Sequence, residues 1–412
     1  WVLTFYTNFM QSYGYYDPET NEIKTGEFSD VPDSGPNIQC LEISPENVIY
    51  MGGYQTATSA YDIKNEEFVY KIPNWTQNEG TGFLNGKTYF GTYTDAVMYR
   101  YDPTKPLNYK PYNYDGEYQG AEYNPTMVYD IQDSQDRPFV VKGYKDRLYI
   151  GTMPGYGFLG GALVIYSEDE NGNPSGETYR NVIPNQSING IAVKDNLVYL
   201  SGSIRGGLGI EPTETAAKMA VFDTEKKEVI KLFVPDLPIV GSSSLSIGDL
   251  SFGPDGLLWG VSEKEGLVFA MNPQTFEVEK YVSVAPGDDR GALARPLYLR
   301  WSEDGFLYTT AGWRLSVIDT ETMEFKTVMS GVSLMSVDTD CNIWYAKGGG
   351  FCKLPLIETE YEKLFKRNFS ANLNYARQTI NISGKFFNNS RITVRIVDAE
   401  DNIVMFDQIE KN

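Results

Sequence analysis

The amino-acid sequence predicts an all-β protein, in which a β-propeller is followed by a small immunoglobulin-like β-domain. Three observations support this prediction. Two short patterns recur along the 412-residue chain, 39 Gly and 21 Pro residues mark many turns, and only the run Glu211–Met219 combines good helix formers over two turns. Helical repeats are therefore excluded, and the two patterns define the repeat.

The first pattern is a turn followed by a strand, roughly Asp/Asn-Gly-x-Leu/Ile-Tyr/Trp-x-Gly/Thr. Its seven copies begin at Asn47, Asn85, Asp146, Asp195, Asp255, Asp304 and Asp340. Successive copies start 36 to 61 residues apart. A repeat of about 40 to 50 residues with four short strands is typical of propeller blades, because a four-stranded sheet buries both faces only within a closed ring.

The second pattern follows the first and predicts a hairpin. An aromatic or aliphatic residue precedes Asp or Asn, then a turn, Glu and a new strand. Copies begin at Tyr16, Tyr61, Tyr101, Phe222, Met271 and Ile318, with a degenerate copy at Ile165. The Asp or Asn side chain bonds the backbone two or three residues further on, which starts a type I turn.

The two ends of the chain depart from the repeat. Residues Trp1–Phe28 resemble the outer strands of a blade; if they complete the last blade the ring has seven blades, and if they form their own it has eight. We favour seven and assign residues 1–357 to the propeller. Residues 358–412 form the immunoglobulin-like module, with strands at Tyr375–Gly384 and Arg391–Asp398, too few for a full sandwich. We expect the chain to be part of a larger modular protein.

Composition excludes several classes of function. A net charge of −20 and a pI near 4.5 disfavour nucleic acid as a partner. The chain contains no His, which removes the usual transition-metal ligand and the Ser-His and Cys-His nucleophile pairs. No stretch reaches the roughly 20 apolar residues that span a bilayer. We interpret Cys40, Cys341 and Cys352 as buried thiols, with a Cys341–Cys352 bridge as the alternative.

Several loop sequences resemble those of a known group of proteins. Gly52-Gly-Tyr54, Gly151-Thr-Met-Pro-Gly-Tyr156 and the glycine-rich Gly206–Glu214 are similar to secreted seven-bladed, WD40-like propellers of Gram-positive bacteria, which often carry S-layer or sugar-binding modules. The tail, at Ile380–Lys385 and Ile392–Asp398, resembles an immunoglobulin-like repeat of clostridial surface proteins. The resemblance implies an extracellular, cell-surface location.

A ligand site is expected where the innermost strands of the blades begin, because the loops there form a funnel. We predict inner strands at 37–41, 79–83, 137–141, 186–191, 246–250, 295–299 and 331–335. The polar residues that converge there are Glu79, Asp136, Arg137, Asn185, Gln186 and Arg295, and the aromatic candidates are Tyr93, Tyr156 and Trp313. In a site for an acidic sugar, the two arginines would bind the carboxylate and the Asn185 and Gln186 amides would bind hydroxyls. One of the aromatic rings would stack on the face of the sugar.

Other interpretations stay open. Arg137 with Glu79 or Asp136 would equally well form buried pairs that join the inner strands. A polysaccharide lyase would use Tyr156 or Lys142 as the base and Arg137 and Arg295 to stabilise the enolate. A glycoside hydrolase would need Glu79 and Asp136, although Arg137 should lower the pKa of Asp136.

We expect no cofactor and no resident metal. Calcium at Asp169-Glu-Asn-Gly-Asn173 is a weaker alternative to an exposed hairpin tip, since the spacing departs from the EF-hand pattern. The sequence therefore predicts an extracellular propeller that binds a glycan or another cell-surface ligand in its funnel, with a polysaccharide lyase and a protein-interaction scaffold as alternatives.

Overall fold

A computed structural model describes residues 2–7, 10–17, 19–27, 35–110, 122–303, 305–354, 370–374, 379–383, 391–397 and 403–410. Strands account for all the regular structure in these ranges, apart from single 3-10 turns at Lys264–Gly266 and Ala311–Trp313. No helix in the described part of the chain is long and apolar enough to cross a membrane. The all-β prediction is confirmed.

The strands fall into seven consecutive antiparallel sheets, which we number as blades 1 to 7. Blade 1 contains β4 (Ile38–Ile43), β5 (Val48–Gly53), β6 (Thr58–Asp62) and β7 (Glu67–Ile72), and blade 2 contains β8 (Gln77–Leu84), β9 (Lys87–Tyr93), β10 (Val97–Tyr101) and β11 (Thr126–Asp130). Blade 3 contains β12 (Gln135–Tyr144), β13 (Arg147–Pro154), β14 (Ala162–Glu168) and β15 (Pro174–Arg180), and blade 4 contains β16 (Ser187–Lys194), β17 (Leu197–Ser203), β18 (Met219–Asp223) and β19 (Glu228–Phe233). Blade 5 contains β20 (Ile247–Phe252), β21 (Leu258–Ser262), β22 (Leu267–Met271) and β23 (Val278–Ser283), and blade 6 contains β24 (Leu299–Trp301), β25 (Leu307–Thr309), β26 (Arg314–Ile318) and β27 (Phe325–Ser330). Blade 7 has three strands in the described part of the chain, β28 (Met335–Val337), β29 (Ile343–Lys347) and β30 (Gly350–Leu354).

Blade 7 packs directly on blade 1 and closes the ring. Leu334 and Trp344 share a buried cluster with Leu41 and Ile49. The Ile38 amide also donates to the Gly348 carbonyl over 2.9 Å. Seven blades therefore complete the propeller, as predicted.

The chain segments outside the ring form small sheets of their own. Strands β1 (Val2–Thr7), β2 (Met10–Asp17) and β3 (Glu22–Glu27) pair with one another, and in the described ranges they pair with no strand of blade 7. After the ring, β31 (Ser370–Asn374) pairs with β32 (Thr379–Ser383), and β33 (Arg391–Val397) pairs with β34 (Ile403–Glu410). The two predicted tail strands overlap β32 and β33 in the described ranges. The residues around the predicted domain boundary at 357 lie outside the described ranges, so the boundary and the immunoglobulin-like module stay predictions.

Both sequence patterns occupy the predicted places. The first forms the second strand of every blade, although Asp304 itself lies outside the described residues. The second pattern forms the turns between the third and fourth strands of blades 1 to 6, while its first copy, at Tyr16, lies between β2 and β3. In blade 4, Asp223 Oδ1 accepts the backbone amides of Glu225 and Lys226 over 2.9 and 3.1 Å. Asp62, Asn272 and Asp319 repeat this geometry.

Apolar side chains pack between neighbouring blades, and glycines allow the inner strands to approach. Trp259 of blade 5 is fully buried and lies in one cluster with Leu299 of blade 6. A Cβ atom at Gly190 on β16 would lie 2.2 Å from the Gly248 carbonyl oxygen on β20. A larger residue there would push two inner strands apart, which would widen the ring at the channel.

No disulfide joins the three cysteines, which all lie in the described ranges. Cys40 is buried, and burial raises its pKa to about 12. Cys341 and Cys352 are only half-buried, so the prediction of buried thiols is confirmed for Cys40 alone. They are not bridged, so the alternative of a disulfide between them is wrong.

Candidate functional site

The first strand of each blade is the inner strand, and all seven inner strands overlap the ranges predicted from the sequence. In blades 6 and 7 only the last predicted residue, Leu299 or Met335, belongs to the strand. Arg295 consequently lies in the loop that leads into β24. The loops between blades and the loops joining second to third strands meet at one end of the ring, which we call the funnel face; the other end is the exit face.

Three charged residues predicted for the site converge on one buried carboxylate. The Glu79 side chain is 0 % exposed and receives Arg137 Nε at 3.3 Å and Arg295 Nη2 at 2.5 Å. Gln77 Nε2 donates to the same carboxylate over 2.6 Å. We call Glu79 with these three partners the Glu79 network. It joins blade 2 to blade 3 and, across the channel, to blade 6.

Arg137 also pairs with Asp136, at 2.6 Å between Nη1 and Oδ2. The expectation that Arg137 lowers the pKa of Asp136 is wrong in its net result. Burial raises the pKa of Asp136 above 3.8, and Arg137 offsets only part of this effect. Both arginines are thus ion-paired to the buried Glu79, although Arg295 is partly exposed, and this is the arrangement expected of ties between inner strands.

Two predicted aromatic residues lie beside this network. The Arg137 guanidinium is 4.1 Å from the centroid of the Tyr93 ring, and the Tyr156 hydroxyl lies near that of Tyr93. Burial raises the pKa of Tyr93. Its phenol therefore stays protonated at neutral pH and can donate or accept a hydrogen bond.

A cavity of about 550 Å³ opens on the funnel face between blades 6, 7 and 1. We call it the funnel pocket. Its apolar wall includes Leu297 and Leu334, and Arg295, Gln39 and Trp313 also line it. Among the described residues, neither Arg295 Nη1 nor Gln39 Nε2 has a hydrogen-bond partner, although both atoms are buried. The pocket thus combines an apolar surface with two unused donors.

Exposed aromatic side chains surround the funnel. Tyr54, Tyr156, Phe158 and Trp313 are 45 to 60 % exposed, and all four lie in loops that join second and third strands. We call these four residues the aromatic rim. The Arg290 guanidinium lies 4.5 Å from the Trp313 ring centroid and holds one side of that ring. Large exposed aromatic residues clustered on one face are typical of interaction surfaces.

Other predicted residues have structural contacts or lie elsewhere. The Gln186 amide is buried and bonds the Ala216 carbonyl over 2.7 Å and the Lys218 amide over 2.9 Å. Asn185 is a half-buried turn residue with a φ of 60°, and its backbone amide donates to Asn181 Oδ1. The structure thus ties Gln186 to the protein backbone rather than leaving it free for hydroxyls.

Lys142 is separated from the other residues of the predicted lyase site. It follows Arg137 by five residues on β12, a distance of about 16 Å along a strand. On the exit face it pairs with Asp249, at 3.2 Å between Nζ and Oδ1. The structure therefore brings Tyr156, Arg137 and Arg295 to the funnel face and places Lys142 at the other end of the channel.

The hairpin tip at Asp169 uses its own carboxylate. Asp169 Oδ1 accepts the amides of Asn171 and Asn173 over 2.8 and 2.9 Å. Over the described ranges, no group of three or more acidic or Cys side chains could hold a metal ion.

Sequence reasoning missed Gln39, Tyr54 and Phe158 as funnel residues. The two aromatic residues could have been predicted, since each follows a Gly at or near the end of the second strand of a blade. Gln39 could not have been predicted, because the alternation of side chains along an inner strand does not show which polar side chain lacks a hydrogen-bond partner.

The sequence matches no family model and no curated protein. The fold, however, is similar to that of solved propellers. The WD40 β-propeller domain of Doa1 superimposes with a TM-score of 0.52 at 11 % identity, over 77 % of this chain and 92 % of that domain. The β-propeller domain of Cps50 (Swd1) from Myceliophteria thermophila gives a TM-score of 0.52 at 9 % identity, over 78 % of this chain and 98 % of that domain. These likenesses show a WD40-like propeller fold.

Proposed function

We propose that the protein is a non-catalytic binding module that captures a segment of another protein on its funnel face. The observation that carries the proposal is the funnel pocket, in which an apolar wall and two unused donors lie inside the aromatic rim. Apolar anchors in a pocket, with aromatic residues around them, supply most of the binding energy in protein interfaces. A bound segment would insert an apolar side chain between Leu297 and Leu334.

The two donors define the rest of the ligand. Arg295 Nη1 and Gln39 Nε2 are both without a partner, so an acceptor on the ligand would relieve two unsatisfied groups. Arg295 is already paired with Glu79 through Nη2. The local charge is therefore balanced, which favours a neutral backbone carbonyl over a free carboxylate.

The acidic surface favours a segment that carries basic residues next to its apolar anchor. With a net charge of −20, the chain attracts cations over long range and speeds their encounter. We further propose that the module acts outside the cell, as part of a cell-surface protein. This location is supported by the sequence resemblance described above.

A glycan is the second candidate ligand. Trp313 and Tyr156 are 60 and 59 % exposed, and flat exposed rings of this kind stack on the apolar face of a sugar. The pairing of Gln186 with the backbone weakens this candidate, because it removes one of the predicted hydroxyl-binding amides. A lyase is less favoured still, since Arg137 is ion-paired on two sides and Lys142 lies at the exit face.

A parallel screen tests the proposal. The purified chain would be offered to a random peptide library and to a glycan array, and absorbance of unsaturated sugars would be followed on acidic polysaccharides. We expect peptides with an apolar anchor and flanking Lys or Arg, and their binding should weaken in Trp313→Ala and Gln39→Ala. Tyr281→Ala is the matched control, because Tyr281 is 47 % exposed on the outer strand β23.

Each outcome of the screen is decisive. Glycan binding that depends on Trp313 without peptide binding would replace the proposal by the glycan candidate. Formation of unsaturated sugar products would show that the protein is a lyase. Peptide binding that is equally weakened by Tyr281→Ala would place the site away from the funnel face.

A further inference from the structure

The exit end of the channel holds a second cavity, of about 390 Å³. We call it the exit cavity. All seven inner strands contribute to its wall, among them Thr81 from β8, Asn189 from β16 and Ser336 from β28. The Lys142 side chain at its mouth is 35 % exposed, so the cavity opens to solvent on the exit face. Lys142 lines this cavity, whereas the funnel residues Glu79, Arg137 and Arg295 do not.

Four charged side chains in this cavity neutralise one another. Arg300 Nη1 lies 2.6 Å from Asp249 Oδ2, and a second nitrogen of Arg300 pairs with Glu42. Lys142 Nζ lies 3.2 Å from Asp249 Oδ1. Two acidic and two basic groups leave no excess charge. An ionic ligand would have to break one of these pairs, and a neutral ligand would not.

Asn189 is the exceptional group in the exit cavity. It is 1 % exposed, and within the described part of the chain neither its amide nitrogen nor its amide oxygen has a hydrogen-bond partner. The Nε of Arg300 is also without a partner there. A buried polar group without a partner is destabilising, and such groups are rare in native proteins. Asn189 therefore offers one donor and one acceptor to a molecule that enters the cavity.

We propose that the exit cavity binds a small, neutral, polyhydroxylated molecule of the size of a hexose or a cyclic hexitol. A hydroxyl both donates and accepts, which matches the two free atoms of the Asn189 amide. Further hydroxyls would reach Arg300 Nε and the carboxylate lone pairs of Glu42 and Asp249, which lie on different blades. The volume falls in the lower part of the range of small-molecule sites, about 300 to 1,000 Å³.

This site is independent of the proposed function. The Glu79 network crosses the channel on the funnel side, and Arg137 in that network lies about 16 Å along β12 from Lys142 at the exit cavity. The two cavities share Pro296 and Tyr298 in their walls, but none of the polar groups proposed to bind a ligand in one cavity lines the other. Failure of peptide binding at the funnel would therefore leave the exit cavity untouched, and the reverse also holds.

Calorimetric titration of the full chain with D-glucose and with myo-inositol tests the proposal. We expect one of the two to bind at millimolar concentration. Asn189→Ala should weaken that binding by at least about tenfold, which corresponds to about 1.4 kcal/mol. Its melting temperature should not fall because the amide makes no hydrogen bond within the protein. Gln39→Ala, which removes an unpartnered donor from the funnel pocket, is the control and should bind the same probe unchanged.

Two results would overturn the proposal. If neither probe binds the wild-type chain, the cavity holds only water, of which its volume would take about 13 molecules at liquid density. If Asn189→Ala binds as tightly as the wild type, Asn189 does not contact the ligand. Should Asn189→Ala fail to fold, Asn189→Ser provides the same comparison with a smaller loss of volume.

Discussion

Replacing Glu79 by Gln should destabilise the propeller strongly. The substitution keeps the shape of the side chain but removes the charge that pairs with Arg137 and Arg295. Glu79 is fully buried and Arg137 is only 12 % exposed, so that pair is shielded from water. Breaking a buried ion pair by removing one partner costs about 3 to 5 kcal/mol. The Arg295 side chain is 35 % exposed and can recover some hydration, which places the expected loss near the lower end, about 3 kcal/mol.

Urea unfolding followed by near-ultraviolet circular dichroism would measure this loss. The melting temperature should fall by roughly 6 to 12 °C, at about 2 to 4 °C per kcal/mol. Glu177→Gln is the matched control because Glu177 pairs with Lys227 on the surface, where both side chains are more than half exposed. That pair should contribute at most about 1 kcal/mol. If Glu79→Gln costs no more than Glu177→Gln, the Glu79 network does not tie the blades and our account of the channel is wrong.

Three further predictions concern stability and association. Burial acts to raise the pKa of Glu168, but hydrogen bonds from Tyr166 and Arg100 lower it below 4.5. The ionised Glu168 side chain should therefore contribute its full stabilisation above pH 4.5, and this stabilisation should be lost as the pH falls through the pKa of Glu168 in the folded protein. Glu168→Gln should therefore flatten the pH dependence of urea unfolding in that acidic range, and an unchanged slope would contradict this. Gly190→Ala should lower the melting temperature markedly, because its Cβ would lie 2.2 Å from the Gly248 carbonyl oxygen; a variant as stable as the wild type would show that β16 and β20 can separate. Stopped-flow association of a basic peptide ligand should slow as salt rises from low to physiological concentration, and a salt-independent rate would exclude steering by the acidic surface.

The sequence predicts the propeller well because its signals are local. A turn and the strand beside it lie within about ten residues, so the side chain of Asp223 and the backbone amides it binds can be read from one short segment. The spacing of these segments then defines the blades. The inner strands of blades 6 and 7 are shifted relative to prediction because those strands have only three residues each. In blade 6 the long segment 284–298 also precedes the strand.

The site could be predicted only in part because its contacts join distant blades. Arg295 and Glu79 are separated by 216 residues and meet only when the ring is closed. No local pattern shows that pairing, so the sequence offered Arg137, and not Arg295, as a partner of Glu79 or Asp136. The raised pKa of Asp136 has a similar origin, since burial in the closed channel outweighs the charge of the neighbouring Arg137.

The affinity of a selected peptide for three forms of the chain tests the central claim most directly. The forms are the wild type, Trp313→Ala on the aromatic rim and Tyr281→Ala on the outer strand β23. Removal of an interface Trp typically costs about 2 kcal/mol or more, so we expect Trp313→Ala to bind about 30-fold more weakly. Tyr281→Ala should bind like the wild type, and all three forms should melt at similar temperatures. Equal affinity of Trp313→Ala and the wild type would contradict a binding site on the funnel face.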